Sequence, residues 1–139
     1  MRILVDTNIL LDYVTEREPY GVSARRIIIA CKEGRADGCI AAHSISNMFF
    51  ILRKAFSVKE RRELLQNLCT LFEVEGIDKA KIQSALLNED FSDFEDCLQM
   101  ECAISFHADY IVTRNPKDFE KSRIACISPE DFLRKISFL

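Results

Sequence analysis

The chain has no tryptophan, only four glycines, three prolines and two histidines, and no strong excess of charge of one sign. Each scarcity excludes something. Four scattered glycines leave no glycine-rich turn between a strand and a helix, so neither a P-loop nor a dinucleotide-binding fingerprint is present. His43 and His107 stand far apart and the cysteines form no CxxC pair, which argues against a zinc centre. No apolar run approaches the roughly 18 residues that a membrane span needs. The chain opens on a charged residue and a strand, so no signal peptide and no membrane partner are expected. A net charge of −3 and a pI near 5.5 argue against broad, charge-driven nucleic-acid binding, while leaving room for a local basic rim around an acidic site.

What is present is an ordinary globular composition: 139 residues, 48% hydrophobic and 29% charged, enough to bury one core in one domain spanning 1–139. Cys31, Cys39, Cys69, Cys97, Cys102 and Cys126 each sit singly inside apolar runs. They are expected to be reduced core thiols of a cytoplasmic protein.

Along the chain, short apolar β-runs alternate with amphipathic helical stretches five times over, with no repeat, linker or low-complexity tract. Strands are expected at the opening RILV, at 38–41, 72–75, 109–113 and 124–127. Helices are expected over 8–14, 22–33, from Ser44 or Ser46 to about Leu52, over 57–71 behind the capping box Ser57–Glu60, from Asp78 to Leu87, over 94–106, and from Ser128-Pro129 onward. The pattern predicts an α/β fold: a single-domain, three-layer α/β/α arrangement with a central parallel sheet of about five strands. In such sheets ligands bind outside the carboxyl ends of the strands, where strand order reverses.

The opening RILVDTNILLD runs a buried strand straight into Asp6 and then into a helix. Asp6 at that place either caps the helix or binds a divalent cation, and this stretch alone supports both readings. The later acids favour the cation. If the first strand and DYIVT (109–113) are neighbours, Asp6 faces Thr113-Arg114-Asn115-Pro116-Lys117-Asp118. Asp93 and Asp96 share one face of the helix that leads into DYIVT, about 5–6 Å apart at Cβ. A helix dipole and cap explain Asp93 well and Asp96 less well. Carboxylates brought to one edge by separate segments repel one another unless a cation lies between them. Oxygen-only donors suit Mg²⁺ or Mn²⁺, which activates water for phosphodiester hydrolysis. Arg114 and Lys117 flank the proposed pocket and are expected to meet backbone phosphates.

VDTNILLDY (5–13), FEDCLQ (94–99) and DYIVTRNPKDF (109–119) resemble the PIN-domain ribonucleases, including VapC-type toxins of bacterial toxin–antitoxin pairs. HSISNMFFILRK (43–54) and SPEDFL (128–133) look like one bacterial branch of the same family, so the likeness spans essentially the whole chain. The resemblance implies a metal-dependent endoribonuclease that leaves a 5′-phosphate and a 3′-hydroxyl. It implies catalytic, metal-binding acids at Asp6, Asp96 and Asp118, with Asp93 as an additional ligand. Thr7, Thr113 and Asn115 would hold these carboxylates by hydrogen bonds. It further implies an RNA substrate, an antitoxin protein that blocks the pocket, and a homodimer. One departure stands out. Many members carry a glutamate on the helix after the second strand, where this chain has Ser46 and Asn47. Asn47 can orient a carboxylate or a metal-bound water but supplies no charge.

Two other readings compete. An aspartyl-phosphate hydrolase wants a second acid two residues after the nucleophile, and Asn8 stands there. A PIN-like module that binds RNA or protein without cutting is kept open by Asn47. His43 and His107 read as helix-terminus residues before catalytic bases, and Phe49, Phe50 and Phe56 as core or a dimer face before a base-stacking platform.

Overall fold

The computed structural model describes residues 1–137. Five strands form one parallel sheet: β1 (Arg2–Val5), β2 (Asp37–Ala41), β3 (Glu73–Glu75), β4 (Tyr110–Val112) and β5 (Cys126–Ile127), in the order β3-β2-β1-β4-β5. The order runs outward in one direction through β2 and β3 and in the other through β4 and β5. The switch point therefore lies between β1 and β4, the position from which such sheets present ligand sites. Leu4 pairs with Ile111 and Val5 with Val112, and the Asp6 amide donates to the Val112 carbonyl at 3.1 Å. The expected neighbours are thus in register, and the residues following each strand emerge side by side.

Among the described residues seven α-helices cover the sheet: α1 (Thr7–Thr15), α2 (Gly21–Lys32), α3 (Ala42–Ile51), α4 (Val58–Leu71), α5 (Lys79–Leu87), α6 (Phe94–Ser105) and α7 (Pro129–Ile136). Period-2 alternation along the strands divides the core in two. Ile3, Val5, Ile40 and Val112 pack with α1, α2, α3, α4 and α7, while Leu4, Cys39, Ala41 and Ile111 pack with α5 and α6. This is the expected three-layer architecture. All six cysteines are free thiols, with Cys39, Cys97 and Cys102 buried; burial pushes the Cys31 thiol up to about 12. No helix among the described residues is long and apolar enough to cross a membrane.

The caps explain most helix boundaries. Ser57 and Glu60 form the reciprocal capping box, Asp78 accepts from the Lys81 amide at 2.9 Å, and Ser128 accepts from the Asp131 amide at 3.1 Å with Pro129 in the first turn. Gly34, at φ +75°, follows α2 as the left-handed residue that its place in the sequence suggests. Gly38 is required for another reason: a Cβ there would stand 2.7 Å from the Phe72 ring.

Several expected boundaries are displaced, among them the last strand, expected over 124–127 and found at Cys126–Ile127. The helix expected from Ser44 or Ser46 begins at Ala42, directly from the extended Ala41, and neither serine caps it. Ser44 is instead fully buried, and its hydroxyl pairs with that of Thr7 at 2.6 Å. The strand expected over 72–75 begins one residue later, because Phe72 turns into the core as the last residue of the α4 turn.

Among the described residues Phe132 is the largest completely buried side chain, and it seals α7 against α2 and the sheet. Phe132→Ala is expected to lower unfolding free energy by about 3–5 kcal/mol, measured by urea denaturation. Arg134→Ala, on the exposed face of the same helix, is expected to cost less than about 0.5 kcal/mol.

Candidate active site

At the carboxyl edge of β1 and β4 lies a cavity of about 210 Å³ lined by residues of α1, α3, α6 and the segment after β4. Asp6, Asp93, Glu95, Asp96 and Asp118 supply its acidic wall. Asn47 and His43 face them from α3, and no lysine or arginine lines it. Three chain segments, around Asp6, Asp93–Asp96 and Asp118, thus deliver carboxylates to one hollow.

Asp6 is the anchor. It occupies the residue before α1, yet its side chain makes no capping bond to that helix. Its two oxygens accept instead from the Gln99 amide at 2.9 Å and the Thr113 hydroxyl at 2.8 Å. Gln99 meanwhile accepts from the Thr7 amide at 3.3 Å, so a residue of α6 takes over part of the cap of α1. Of the two readings open at Asp6, simple side-chain capping is the one the geometry disfavours. Burial pushes the Asp6 carboxyl up, and the hydrogen bonds from Gln99 and Thr113 pull it partly back.

Asp96 sits half-buried in the first turn of α6. Its pKa is raised to about 7, first by desolvation and then by the charges of Asp93, Asp6 and Asp118. Asp118 rides a short 3-10 turn, Pro116–Phe119, and is exposed at the cavity mouth. Asp93 is the N-cap of α6, its Oδ1 accepting from the Asp96 amide at 3.0 Å. The helix-cap explanation therefore accounts for one of its oxygens, although the residue also lines the cavity.

Several expected contacts fall elsewhere. Thr113 does hold a carboxylate, but Thr7 bonds Ser44 and no acid. Asn115 and Lys117 are exposed and outside the cavity lining. Asn115 serves through its backbone, donating its amide to the Thr113 hydroxyl at 3.1 Å. Arg114 does not reach the cavity. Its guanidinium is gripped by the buried carboxylate of Asp12, with Nε–Oδ2 at 2.6 Å, and lies 4.0 Å over the Tyr20 ring. A charge that satisfies a buried acid is held in place by the cost of leaving that acid unpaired.

Sequence reasoning misses Gln99, Asp12 and His43 as site residues. Gln99 lies within the FEDCLQ stretch, but its role depends on a partner 93 positions away. Asp12 closes the strand-helix stretch, one turn beyond Asn8, and nothing local marks it as buried. His43 approaches the Glu95 carbonyl through Nε2 at 3.1 Å, and burial pushes its pKa down. Its Nδ1 is buried without a partner.

The donor set is chemically suited to a hard divalent ion: carboxylate oxygens, no thiol, and an Asp96 carboxyl raised by burial and by the neighbouring charges that a cation would offset. The ligands are not closed around a point, however. Among the described residues no three His, Cys, Asp or Glu side chains converge closely enough to hold an ion as placed. The expectation of a shared hollow is met; a preformed ligand cage is not.

The family model described as "PIN domain" matches residues 2–117. In structure the chain is similar to a chain of a toxin–antitoxin complex from Klebsiella pneumoniae, with a TM-score of 0.69 at 20% identity over 91% of this chain and 97% of that one. It is similar to a chain of the VapBC2 complex of Rickettsia felis bound to a promoter DNA fragment, with a TM-score of 0.66 at 15% identity over 92% and 98%. A chain of VapBC-1 from nontypeable Haemophilus influenzae gives 0.66 at 14% identity over 94% and 99%. These likenesses are likenesses of fold. No curated protein sequence matches the chain.

The raised Asp96 pKa has a signed consequence. The folded state holds the Asp96 proton more tightly than the unfolded chain, whose carboxyl has a pKa of 3.8. Its contribution is full below about pH 4 and is lost as pH rises toward about 7. In metal-free buffer Asp96→Asn is expected to remove that decline, gaining about 1–2 kcal/mol over wild type at pH 8 and nothing at pH 4, after allowance for solvent screening. Thermal melts of both proteins across this range measure it, and a constant difference would contradict the assignment.

Proposed function

Because the chain belongs to the PIN domain family, we propose that it is a metal-dependent endoribonuclease and the toxin of a toxin–antitoxin pair. One observation carries the proposal. An acidic cavity with no basic lining stands at the switch point of the sheet, and its central carboxyl is pushed to about 7 by burial and its neighbours. An acidic wall of this kind repels a phosphodiester unless a cation mediates the approach.

Asp6, Asp96 and Asp118 are the residues that would hold Mg²⁺ or Mn²⁺, which when bound supplies charge neutralisation and an activated water for phosphodiester hydrolysis. The chain's own part is positioning. Gln99 and Thr113 fix the Asp6 carboxylate from two sides. Asp93 turns one oxygen to the start of α6 and so sets the pitch at which Asp96 enters the cavity. Exposed Asp118 and half-buried Asp96 have the freedom to close on an ion that the fixed Asp6 lacks. Asn47 faces these acids without adding charge.

The fold's likeness to chains of toxin–antitoxin complexes supports an antitoxin as partner. A homodimer belongs to the same proposal: Phe50 is 62% exposed on α3, whereas Phe49 and Phe56 turn inward against the core. Free thiols throughout support a reducing, cytoplasmic setting.

A second reading, a PIN-like module that binds RNA or protein without cutting it, is favoured by Asn47 and by the open ligand arrangement. The two separate cleanly. Wild type is expected to cleave a mixed single-stranded RNA pool only with Mg²⁺ or Mn²⁺, and Asp6→Asn to lose on the order of 10²-fold or more. Asn47→Glu is expected to tighten Mn²⁺ binding by about tenfold, the factor conferred by about 1.4 kcal/mol, read by calorimetry. Equal cleavage by wild type and Asp6→Asn would remove the catalytic assignment. Metal-induced stabilisation without cleavage would establish the second reading.

A further inference from the structure

No basic side chain lines the acidic cavity, and a nucleic-acid strand needs one nearby. A second cavity, of about 220 Å³, adjoins it between α1 and the 3-10 turn Leu52–Lys54 and shares Asn8, Leu11 and Ile51 with it. Its far side carries Arg17, Lys54 and Arg114. These three cations differ in availability. Arg114 is committed to Asp12 and stacks on Tyr20. Arg17 and Lys54 are exposed, and among the described residues neither forms an ion pair. In a chain of net charge −3, two unpaired cations across a groove from an acidic centre make an electrostatic pair of subsites.

We propose that the groove between α1 and the Leu52–Lys54 turn is a phosphate subsite for single-stranded RNA. Arg17 and Lys54 contact the backbone of the nucleotides flanking the scissile bond, and Leu11 and Ile51 form the apolar floor between the two subsites. The proposal rests on the nuclease reading and adds the path of the strand to it. The contact is to phosphate, so it carries no sequence preference. Arg114 contributes by position: its link to Asp12 fixes the groove wall, and its charge is already neutralised there. The phosphate-binding role expected of Arg114 thus passes to two other basic residues, Arg17 and Lys54.

The test is the salt dependence of binding, read by fluorescence anisotropy with a labelled mixed-sequence single-stranded RNA and the intact chain in EDTA, where no cleavage occurs. Each phosphate contact to a single strand contributes about 0.7 to the slope of log K against log salt. The double variant Arg17→Ala/Lys54→Ala is expected to lower that slope by about 1.4 and weaken binding by about tenfold or more at low salt. The control Lys32→Ala/Arg35→Ala makes the same charge change where the chain enters β2, at the opposite edge of the sheet. It is expected to leave the slope unaltered. If both double variants behave alike while wild type still cleaves RNA with Mn²⁺ and Asp6→Asn does not, the groove assignment falls and the nuclease reading stands. If wild type neither binds nor cleaves RNA, both fall. If poly-aspartate binds through Arg17 and Lys54 and RNA does not, the occupant is an acidic protein segment and the RNA assignment is overturned.

Discussion

A carboxylate buried to 4% exposure with no cationic partner is the constraint around which this chain is built. Leaving Asp6 unsatisfied in the core would cost several kcal/mol, so two neutral donors from distant parts of the sequence are committed to it. Gln99 comes from α6 and Thr113 from the end of β4. Each can arrive only because β1 and β4 are paired in parallel and in register, with Val5 opposite Val112. The hydrogen bonds that satisfy the acid are therefore also the bonds that fix α6 and the β4 exit against the first strand. Stability and site geometry share these contacts, and a change in the sheet register would lose both.

Charge is sorted around that anchor. The acids collect in one cavity, where Asp96 is pushed to about 7, and Arg17, Lys54 and Arg114 line the neighbouring groove. Arg114, sequence neighbour to Thr113, is kept out of the acidic cavity by a closer carboxylate at Asp12. A guanidinium free to fall back among Asp6, Asp96 and Asp118 would occupy the place of the proposed metal ion. Pairing it with Asp12 and covering it with Tyr20 prevents that and braces the loop that carries Asp118.

Much of this is legible in the amino-acid order because it is local. The apolar strand running into Asp6, the capping box at Ser57–Glu60 and the Ser128-Pro129 helix start are each readable within a few residues. Asp93 as a cap is legible for the same reason. The gathering of Asp6, Asp96 and Asp118 follows from topology, since an α/β alternation brings strand ends together at a switch point. What escapes is non-local. Gln99 and Asp12 act through partners 93 and 102 positions away, and nothing in their neighbours announces burial. The start of α3 escapes because Ala41 passes directly from strand to helix with no capping side chain to mark it. Arg114 is misplaced by sequence reasoning because adjacency to a pocket along the chain says nothing about which acid lies nearer in space.

The central claim is that three aspartates hold one divalent ion in the hollow beside β1 and β4. Crystals grown with Mn²⁺ and examined by anomalous diffraction test it most directly. The expected result is one manganese peak about 2.0–2.2 Å from carboxylate oxygens of Asp6, Asp96 and Asp118, with Asp118 turned inward and Gln99 still bonded to Asp6. Manganese bound elsewhere on the protein, with that hollow empty at the same concentration, would contradict it.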